Sequence, residues 1–237
     1  MRVDHERTSL RVDDDLADEV TVVVHRPTRP RGPGLVLTHG AGKDLDAPHL
    51  ASLADAVATR GVLVVRVNQP WKQSGRAAPP RPPKAVPGYA AVAAAVRTTF
   101  GPRRGWVLGG HSNGARLTTH ALAQADALGL QALGAVLVSF PLHAPGKDIG
   151  ERIDHWPDVT HPLLFLQGTH DPFGGVDEVR AELPRLGGPT EVVPVPGGDH
   201  GLAVPSTRSD DRRRHEGSDV VRPYGADIAA WLEHLAG

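Results

Sequence analysis

Three side chains that could together activate an alcohol for attack on a carbonyl group lie far apart in the chain. Ser112 lies in the segment Gly110-His111-Ser112-Asn113-Gly114, between the apolar run Trp106-Val107-Leu108 and a helix-like stretch that begins near Ala115. A strand–turn–helix of this kind holds the serine in a strained turn and exposes its hydroxyl, and the flanking glycines avoid crowding. The segment predicts that Ser112 is a nucleophile.

A serine hydroxyl is a weak nucleophile near neutral pH, so it needs an imidazole to accept its proton and a carboxylate to orient that imidazole. Asp171 follows the apolar run Leu163 to Leu166, and His200 follows the run Glu191 to Val195. Both therefore lie in loops just beyond the carboxyl end of a predicted strand. The order Ser112, Asp171, His200 is the order expected when such loops meet along one edge of a parallel sheet.

Each of these assignments has an alternative. Asp171, which precedes a proline, could begin a turn or cap a helix. Asp199 is a rival acid, but its position beside His200 suits it better to shaping its own turn. His200 itself could be an ordinary loop histidine.

Acyl transfer places negative charge on the substrate oxygen, and backbone N–H groups must be ready to stabilise it. One candidate is the N–H of Asn113, at the start of the helix after the serine. The other lies in Thr38-His39-Gly40-Ala41-Gly42, directly after the apolar run Leu35 to Thr38, with Ala41 the first choice and Gly42 the second. This segment could also be a simple turn. His39 could act as a base, although a histidine here is better suited to bracing the loop.

The elements that must position these groups alternate along the chain. Continuous apolar runs predict strands at Glu19 to Val24, Leu35 to Thr38, Val62 to Val67, Trp106 to Leu108, Ala135 to Phe140, Leu163 to Leu166 and Glu191 to Val195, with the first at an edge. Helical spacing predicts helices from Pro48 to Val57, Tyr89 to Val96, Ala115 to Leu128 and Ile228 to Leu235. The alternation favours an α/β fold, a mostly parallel central sheet with helices on both faces.

Two segments are predicted to be irregular. The stretch from Gln69 to Pro87 carries six prolines and predicts a stiff surface loop. The stretch from Ser206 to Arg222 is polar and highly charged, contains Arg212-Arg213-Arg214, and predicts a solvated loop. Either loop could gate the site.

Composition narrows the class of protein. The 237 residues suit a single domain spanning 1–237, and 40% hydrophobic with 22% charged residues is typical of a soluble globular protein. A net charge of −1 does not favour nucleic-acid binding, and the apolar runs are too short to cross a membrane. The charged amino terminus carries no signal-peptide pattern, which predicts a cytoplasmic protein.

No metal or cofactor is expected. The chain has no cysteine, no His-Glu-x-x-His pair and no glycine-rich phosphate loop. His155 and His161 are interpreted as loop residues.

The segments His39-Gly40-Ala41-Gly42, Gly110-His111-Ser112-Asn113-Gly114, Gly168-Thr169-His170-Asp171 and Asp199-His200-Gly201 occur in this order. With them the chain, from about residue 18 to 236, resembles the α/β-hydrolase superfamily. Ser139-Phe140-Pro141-Leu142-His143 and the segment 168–174 are similar to its lidless, dienelactone-hydrolase-like group. Dienelactone hydrolases have a cysteine where this chain has Ser112.

The resemblance implies an α/β-hydrolase fold with no cap domain, because few residues separate Phe140 from Pro162. Such an open site would be walled by Trp71, by the segment holding Arg152 and Trp156, and by Phe173. Arg152 could bind a substrate carboxylate, although a structural ion pair is favoured for it.

Together the residues predict a serine hydrolase acting on a small carboxylic ester, thioester or related acyl substrate through an acyl-enzyme. Two alternatives stay open. The chain could be a binding or scaffold protein that keeps this fold with little activity, or a peptidase or lyase on the same framework. Sequence alone leaves the oligomeric state open.

Overall fold

The centre of the structure is an eight-stranded β-sheet. The structure is a computed structural model and describes residues 1–101, 104–205, 214–215 and 217–235. The strands are β1 Val3–Arg11, β2 Glu19–Pro27, β3 Gly34–Thr38, β4 Val64–Val67, β5 Trp106–His111, β6 Ala135–Val138, β7 Leu163–Gly168 and β8 Thr190–Val195. Their order in the sheet is β1-β2-β4-β3-β5-β6-β7-β8, with β3 to β8 parallel and with β1 and β2 antiparallel to their neighbours.

Helices connect the strands and cover the sheet. They are α1 Pro48–Ala58, α2 Pro70–Gln73, α3 Pro82–Phe100, α4 Asn113–Leu122, α5 Val176–Glu182, α6 Gly217–Val220 and α7 Gly225–Leu235. Three short 3₁₀ helices span Gly150–Ile153, Trp156–Asp158 and Leu183–Arg185. A separate ribbon pairs β9, Val204–Pro205, with β10, Arg214–His215.

The side chains of the strands pack into two hydrophobic cores, one on each face of the sheet. Successive side chains of a strand point to opposite faces, and in β3 Leu35 and Leu37 join one core while Val36 joins the other. The first core includes α1 and α7, and the second includes α3 and α4. Because both faces are buried, the central strands are continuously apolar, and the predicted α/β architecture is confirmed.

The sequence prediction was wrong about the edge of the sheet. The strand predicted from Glu19 to Val24 is second from the edge, and the edge strand is β1, which was not predicted. Most side chains of β1 are exposed and polar, so it carries no apolar run. It is recognisable only through its pairing with β2.

The predicted proline-rich loop is also partly helical. Helix α2 lies within it, and α3 begins at Pro82 and contains Pro87. Pro82 and Pro83 are tolerated because they lie in the first turn, where the N–H groups have no acceptor within the helix, whereas Pro87 lies inside the helix. The predicted charged loop contains β10 and α6, whereas 206–213 and 216, including Arg212 and Arg213, lie outside the described residues.

The segment between β6 and β7 is short. Residues 139–162 contain only two of the 3₁₀ helices, so the described part of the chain has no cap domain, as predicted. Within the same described residues, none of the helices combines the length and apolar character needed to cross a membrane.

Candidate active site

Four loops meet at the carboxyl edge of the sheet. They follow β3, β5, β7 and β8, and carry residues 39–42, Ser112, Asp171 and His200, respectively. In open α/β sheets this edge is where ligands bind, because neighbouring parallel strands all end there. The topology therefore brings together the residues that the sequence predicted for the site.

The turn from β5 into α4 is strained at Ser112. Its backbone has φ 54° and ψ −114°, an unfavourable conformation for a residue with a side chain. Glycine is required on both sides: a methyl group at Gly110 would lie 2.8 Å from the Thr38 oxygen, and one at Gly114 would lie 2.8 Å from Thr38 Cγ2. The turn thus has the geometry of a nucleophile elbow.

The three predicted side chains form a continuous hydrogen-bonded chain. His200 Nε2 lies 2.8 Å from Ser112 Oγ, and His200 Nδ1 lies 2.9 and 3.0 Å from the two carboxylate oxygens of Asp171. The Asp171 side chain is fully buried, whereas that of His200 is 21% exposed. Because the carboxylate accepts from Nδ1, Nε2 is free to accept the serine proton.

Buried donors hold Asp171 in place. Its Oδ1 accepts the N–H of Phe173 at 2.9 Å, and its Oδ2 accepts Nε2 of Gln167 at 3.2 Å. Gln167 is fully buried, and its amide also donates to the carbonyl of Gly174 and accepts the N–H of Phe140. Sequence reasoning did not identify Gln167, although a glutamine at the end of an apolar strand is a signal of a buried polar role.

Asp171 contacts Nδ1 of His200, whereas the rival carboxylate, Asp199, makes a different set of hydrogen bonds. Asp199 Oδ1 accepts the backbone N–H groups of Gly201 and Ala203, both at 2.9 Å. Asp199 therefore shapes its own turn, as the sequence interpretation expected.

His39 braces the loop after β3. Its Nε2 accepts the backbone N–H of Gln69 at 3.1 Å, and its Nδ1 donates to the carbonyl of Gly40 at 2.9 Å. Burial lowers the pKa of His39, which keeps the ring neutral. Both nitrogens are engaged in hydrogen bonds, so neither is available to accept another proton.

The loop that carries Ala41 lies directly against the serine. A methyl group added at Gly40 would lie 3.3 Å from Ser112 Cβ and 3.0 Å from His111 Nδ1. Asn113 is the first residue of α4, so its N–H has no acceptor within the helix. The N–H groups proposed to stabilise an oxyanion, those of Ala41 and Asn113, thus belong to two segments that adjoin Ser112.

A histidine that the sequence analysis overlooked joins the loops. His111 Nε2 donates to the backbone oxygen of His200 at 2.8 Å, and the ring of His49 packs 4.3 Å from the ring of His111. The pKa of His111 lies well below its usual value because of burial and the neighbouring imidazoles, so the ring is neutral. Its position beside Ser112 in the motif was the available signal.

One cluster could in principle hold a metal ion. The ligand atoms of His5, His25 and Asp55 lie within 4.8 Å of one another. However, His25 Nε2 accepts a hydrogen bond from Arg66 Nε at 2.8 Å, so its proton must be on Nδ1, which donates to Asp55 at 2.7 Å. A protonated nitrogen cannot bind a metal ion, and the cluster is better described as a hydrogen-bond network.

The comparison with known families agrees with this geometry. Residues 31–227 match the family model described as an alpha/beta hydrolase domain, which is most of the chain. The chain belongs to the α/β-hydrolase family. The resemblance inferred from the four sequence segments is therefore confirmed.

Several solved structures share the fold. A dienelactone hydrolase from Anabaena variabilis is 15% identical, with a TM-score of 0.70 and 99% of each chain covered. An alpha-beta serine hydrolase homologue from Coxiella burnetii is 16% identical, with a TM-score of 0.69, 97% of this chain and 96% of that chain covered. A cold-adapted esterase from an Arctic intertidal metagenomic library is 17% identical, with a TM-score of 0.64 and coverages of 98% and 94%. At these identities the likeness establishes the fold alone.

Two predicted wall residues are not part of the site surface. Trp71 is buried and donates to Gln69, and Trp156 packs in the core against Phe140 and Phe165. Phe173, in contrast, places its ring 4.2 Å from the ring of His200. Its ring therefore borders the imidazole of His200.

Proposed function

We propose that this protein is a serine hydrolase that cleaves a small carboxylic ester, thioester or related acyl substrate through an acyl-enzyme. The 2.8 Å contact between Ser112 Oγ and His200 Nε2, in line with the buried Asp171 carboxylate, carries the proposal. A hydroxyl bonded to an oriented imidazole has the arrangement needed for nucleophilic attack on a carbonyl carbon.

In the first half of the reaction, Ser112 Oγ attacks the carbonyl carbon while His200 Nε2 takes its proton. The N–H groups of Asn113 and Ala41 stabilise the negative oxygen of the tetrahedral intermediate. His200 then gives the proton to the leaving alcohol or thiol, and the acyl group remains on Ser112. Asp171 stays ionised and stabilises the charged imidazole.

In the second half, water replaces the leaving group. His200 takes a proton from the water, which attacks the acyl carbon, and then returns a proton to Ser112 Oγ as the acid is released. Only side chains, backbone N–H groups and water take part in this scheme.

The test is covalent labelling followed by kinetics. A fluorophosphonate probe should modify Ser112, identified by peptide mass spectrometry, and Ser112→Ala should abolish the labelling. The same variant should lower kcat for short-chain 4-nitrophenyl esters by about four orders of magnitude. The matched control is Ser9→Ala, which removes an exposed hydroxyl from β1 and should leave both readouts unchanged.

Short- and long-chain acyl esters, thioesters and amides should be compared in parallel, because fold alone does not select among them. If the folded wild-type protein neither reacts with the probe nor turns over any of these substrates, the proposal fails. A binding role for this fold would then be the better explanation.

A further inference from the structure

Two arginines, one on α4 and one in a segment packed against α4, have no carboxylate partner among the described residues. Arg116 belongs to the first turns of α4, and its backbone N–H donates to the backbone carbonyl oxygen of Ser112 at 3.1 Å. Arg152 lies in the 3₁₀ helix Gly150–Ile153, between β6 and β7. Both residues are partly exposed, although Arg116 Nε itself is shielded from solvent.

A packed pair of histidines holds the two arginine segments together. The ring of His155 stacks on that of His120, with centroids 3.6 Å apart, and its Nε2 lies 2.8 Å from Thr119 Oγ1. Arg152 precedes His155 by three residues, and Arg116 precedes His120 by four. Both arginines therefore lie about one helical turn from the stacked pair, and Arg116 lies between that pair and Ser112.

Neither guanidinium group is paired with a carboxylate of the described residues. Within the residues that the structure describes, neither side chain takes part in an ion pair, and Arg116 Nε is shielded from solvent without a hydrogen-bond partner. Burial lowers the pKa of Arg116, and the charge of Arg152 lowers it further. The structural ion pair that the sequence analysis favoured for Arg152 is therefore wrong for the described part of the chain.

The same interface contains other polar atoms without partners. Seven buried side-chain polar atoms lack a hydrogen bond among the described residues, and four of them are Arg116 Nε, His120 Nε2, His155 Nδ1 and Trp156 Nε1. Burial lowers the pKa of His120 to about 4 and that of His155 to about 3, so both rings are neutral near pH 7. They add no charge of either sign.

Two neighbouring cations without a counter-charge repel each other, and the partial burial of one increases the cost. A bound anion would relieve the repulsion and accept a hydrogen bond from Arg116 Nε. The planar guanidinium group is well matched to a carboxylate, which can accept two parallel hydrogen bonds from it. The arrangement is thus suited to binding a carboxylate.

We propose that Arg116 and Arg152 form a binding site for a carboxylate group carried by the substrate. The inference rests on the proposed function and narrows it to esters or thioesters that bear a second, ionised carboxyl group. Because Arg116 is about one turn of helix from Ser112, we expect the carboxylate and the reacting carbonyl group of the substrate to be a few bonds apart. A half ester of succinic acid has this spacing.

The test compares matched charged and neutral esters. In the first pair, 4-nitrophenyl hemisuccinate, which carries a carboxylate on the acyl side, is compared with its neutral methyl ester. In the second pair, 4-acetoxybenzoate, which carries a carboxylate on the leaving group, is compared with its neutral methyl ester. The wild type should prefer the charged member of one pair in kcat/KM by about tenfold or more, and Arg116→Gln and Arg152→Gln should each remove that preference. Arg152→Glu should reverse it.

The matched control is Arg97→Gln. Arg97 lies near the end of α3 and borders Trp106 at the start of β5, the opposite edge of the sheet from Ser112, and its loss removes the same charge. It should leave the charged-to-neutral ratio within twofold. If Arg116→Gln is unstable, Arg152→Gln alone tests the carboxylate site, because Arg152 lies in a short, partly exposed 3₁₀ helix.

Binding of succinate itself, measured by isothermal titration calorimetry, separates this inference from the proposed function. Succinate bound by the wild type and at least about tenfold more weakly by Arg152→Gln supports the carboxylate site even if no ester is cleaved. Turnover of both esters of each pair at equal rates in all variants, with no succinate binding, overturns the site and leaves the hydrolase proposal standing.

Discussion

His111 donates a hydrogen bond from Nε2 to the main-chain oxygen of His200, with the two atoms 2.8 Å apart. The residue that precedes the serine thus holds the backbone of the histidine that contacts the serine. Rotation of the His200 ring is restrained by Asp171, and the position of its backbone is restrained by His111. The dipeptide His111-Ser112 therefore contacts His200 twice: Ser112 contacts its ring and His111 holds its backbone.

Replacing His111 tests this relationship. His111→Phe keeps a ring of similar size and removes the donor, so the His200 loop should shift and kcat for a short ester should fall by about 10- to 100-fold, with little change in KM. His111→Gln restores an N–H donor and should recover much of the loss. Steady-state kinetics and thermal unfolding would be measured together. Near-wild-type kcat in His111→Phe, at an unchanged Tm, would show that the bond has no positioning role.

The identity of the acid can be tested by a pair of isosteric changes. Asp171→Asn removes the charge that orients the His200 imidazole and favours its protonation, so kcat should fall by about four orders of magnitude. Asp199→Asn keeps an oxygen that can accept from Gly201 and Ala203, so kcat should stay within about tenfold of wild type. The reverse ranking of the two variants would assign the acid to Asp199.

The sequence predicted the elements whose cause is local. The turn at Ser112 is recognisable in the sequence because its two glycines must lie within five residues. The central strands are recognisable as continuous apolar runs because both of their faces are buried. The strand β1 could not be predicted in this way, because its residues are mostly exposed and its order comes from pairing with β2.

The supporting residues of the site depend on contacts between distant segments. Gln167 bridges Asp171 to Phe140, 27 residues away, and His111 reaches His200, 89 residues away. A single sequence indicates candidate reacting groups by their type and order, whereas such supporting contacts become visible only when the loops are placed side by side.

Acid should destabilise the protein through His25. Burial and the charge of Arg66 lower its pKa to about 4, against about 6.5 when unfolded. Between these pH values the unfolded state binds more protons than the folded state. The contribution of His25 to the free energy of unfolding is therefore fully present above pH 6.5 and is lost as the pH falls towards 4. Below that range Asp55 adds to the loss: burial raises its pKa, but the bonds from His5 and His25 outweigh burial and lower it overall.

For His25 alone the loss from pH 7 to pH 5 is on the order of 2 kcal/mol. His25→Gln should therefore reduce the difference in unfolding free energy between these two pH values, measured by urea denaturation. His234→Gln, which changes an exposed histidine of α7, is the control and should leave the difference unchanged. An unchanged pH difference in His25→Gln would show that this ring does not contribute to acid sensitivity.

The close packing between the serine turn and the loop after β3 should make Gly114 intolerant of a side chain. A methyl group there would lie 2.8 Å from Thr38 Cγ2 and 2.9 Å from the backbone oxygens of Thr38 and His39. The backbone would have to move, so Gly114→Ala should lower the free energy of unfolding by about 1–3 kcal/mol and displace the oxyanion donors, reducing kcat. Gly42→Ala is the matched control, because a methyl group there meets no atom within 4 Å and the N–H is retained. Urea denaturation and ester turnover should distinguish the two variants, because only Gly114→Ala forces apart the loops that hold Ser112 and Ala41. If both variants were equally stable, the loops would be able to move apart without a cost in free energy.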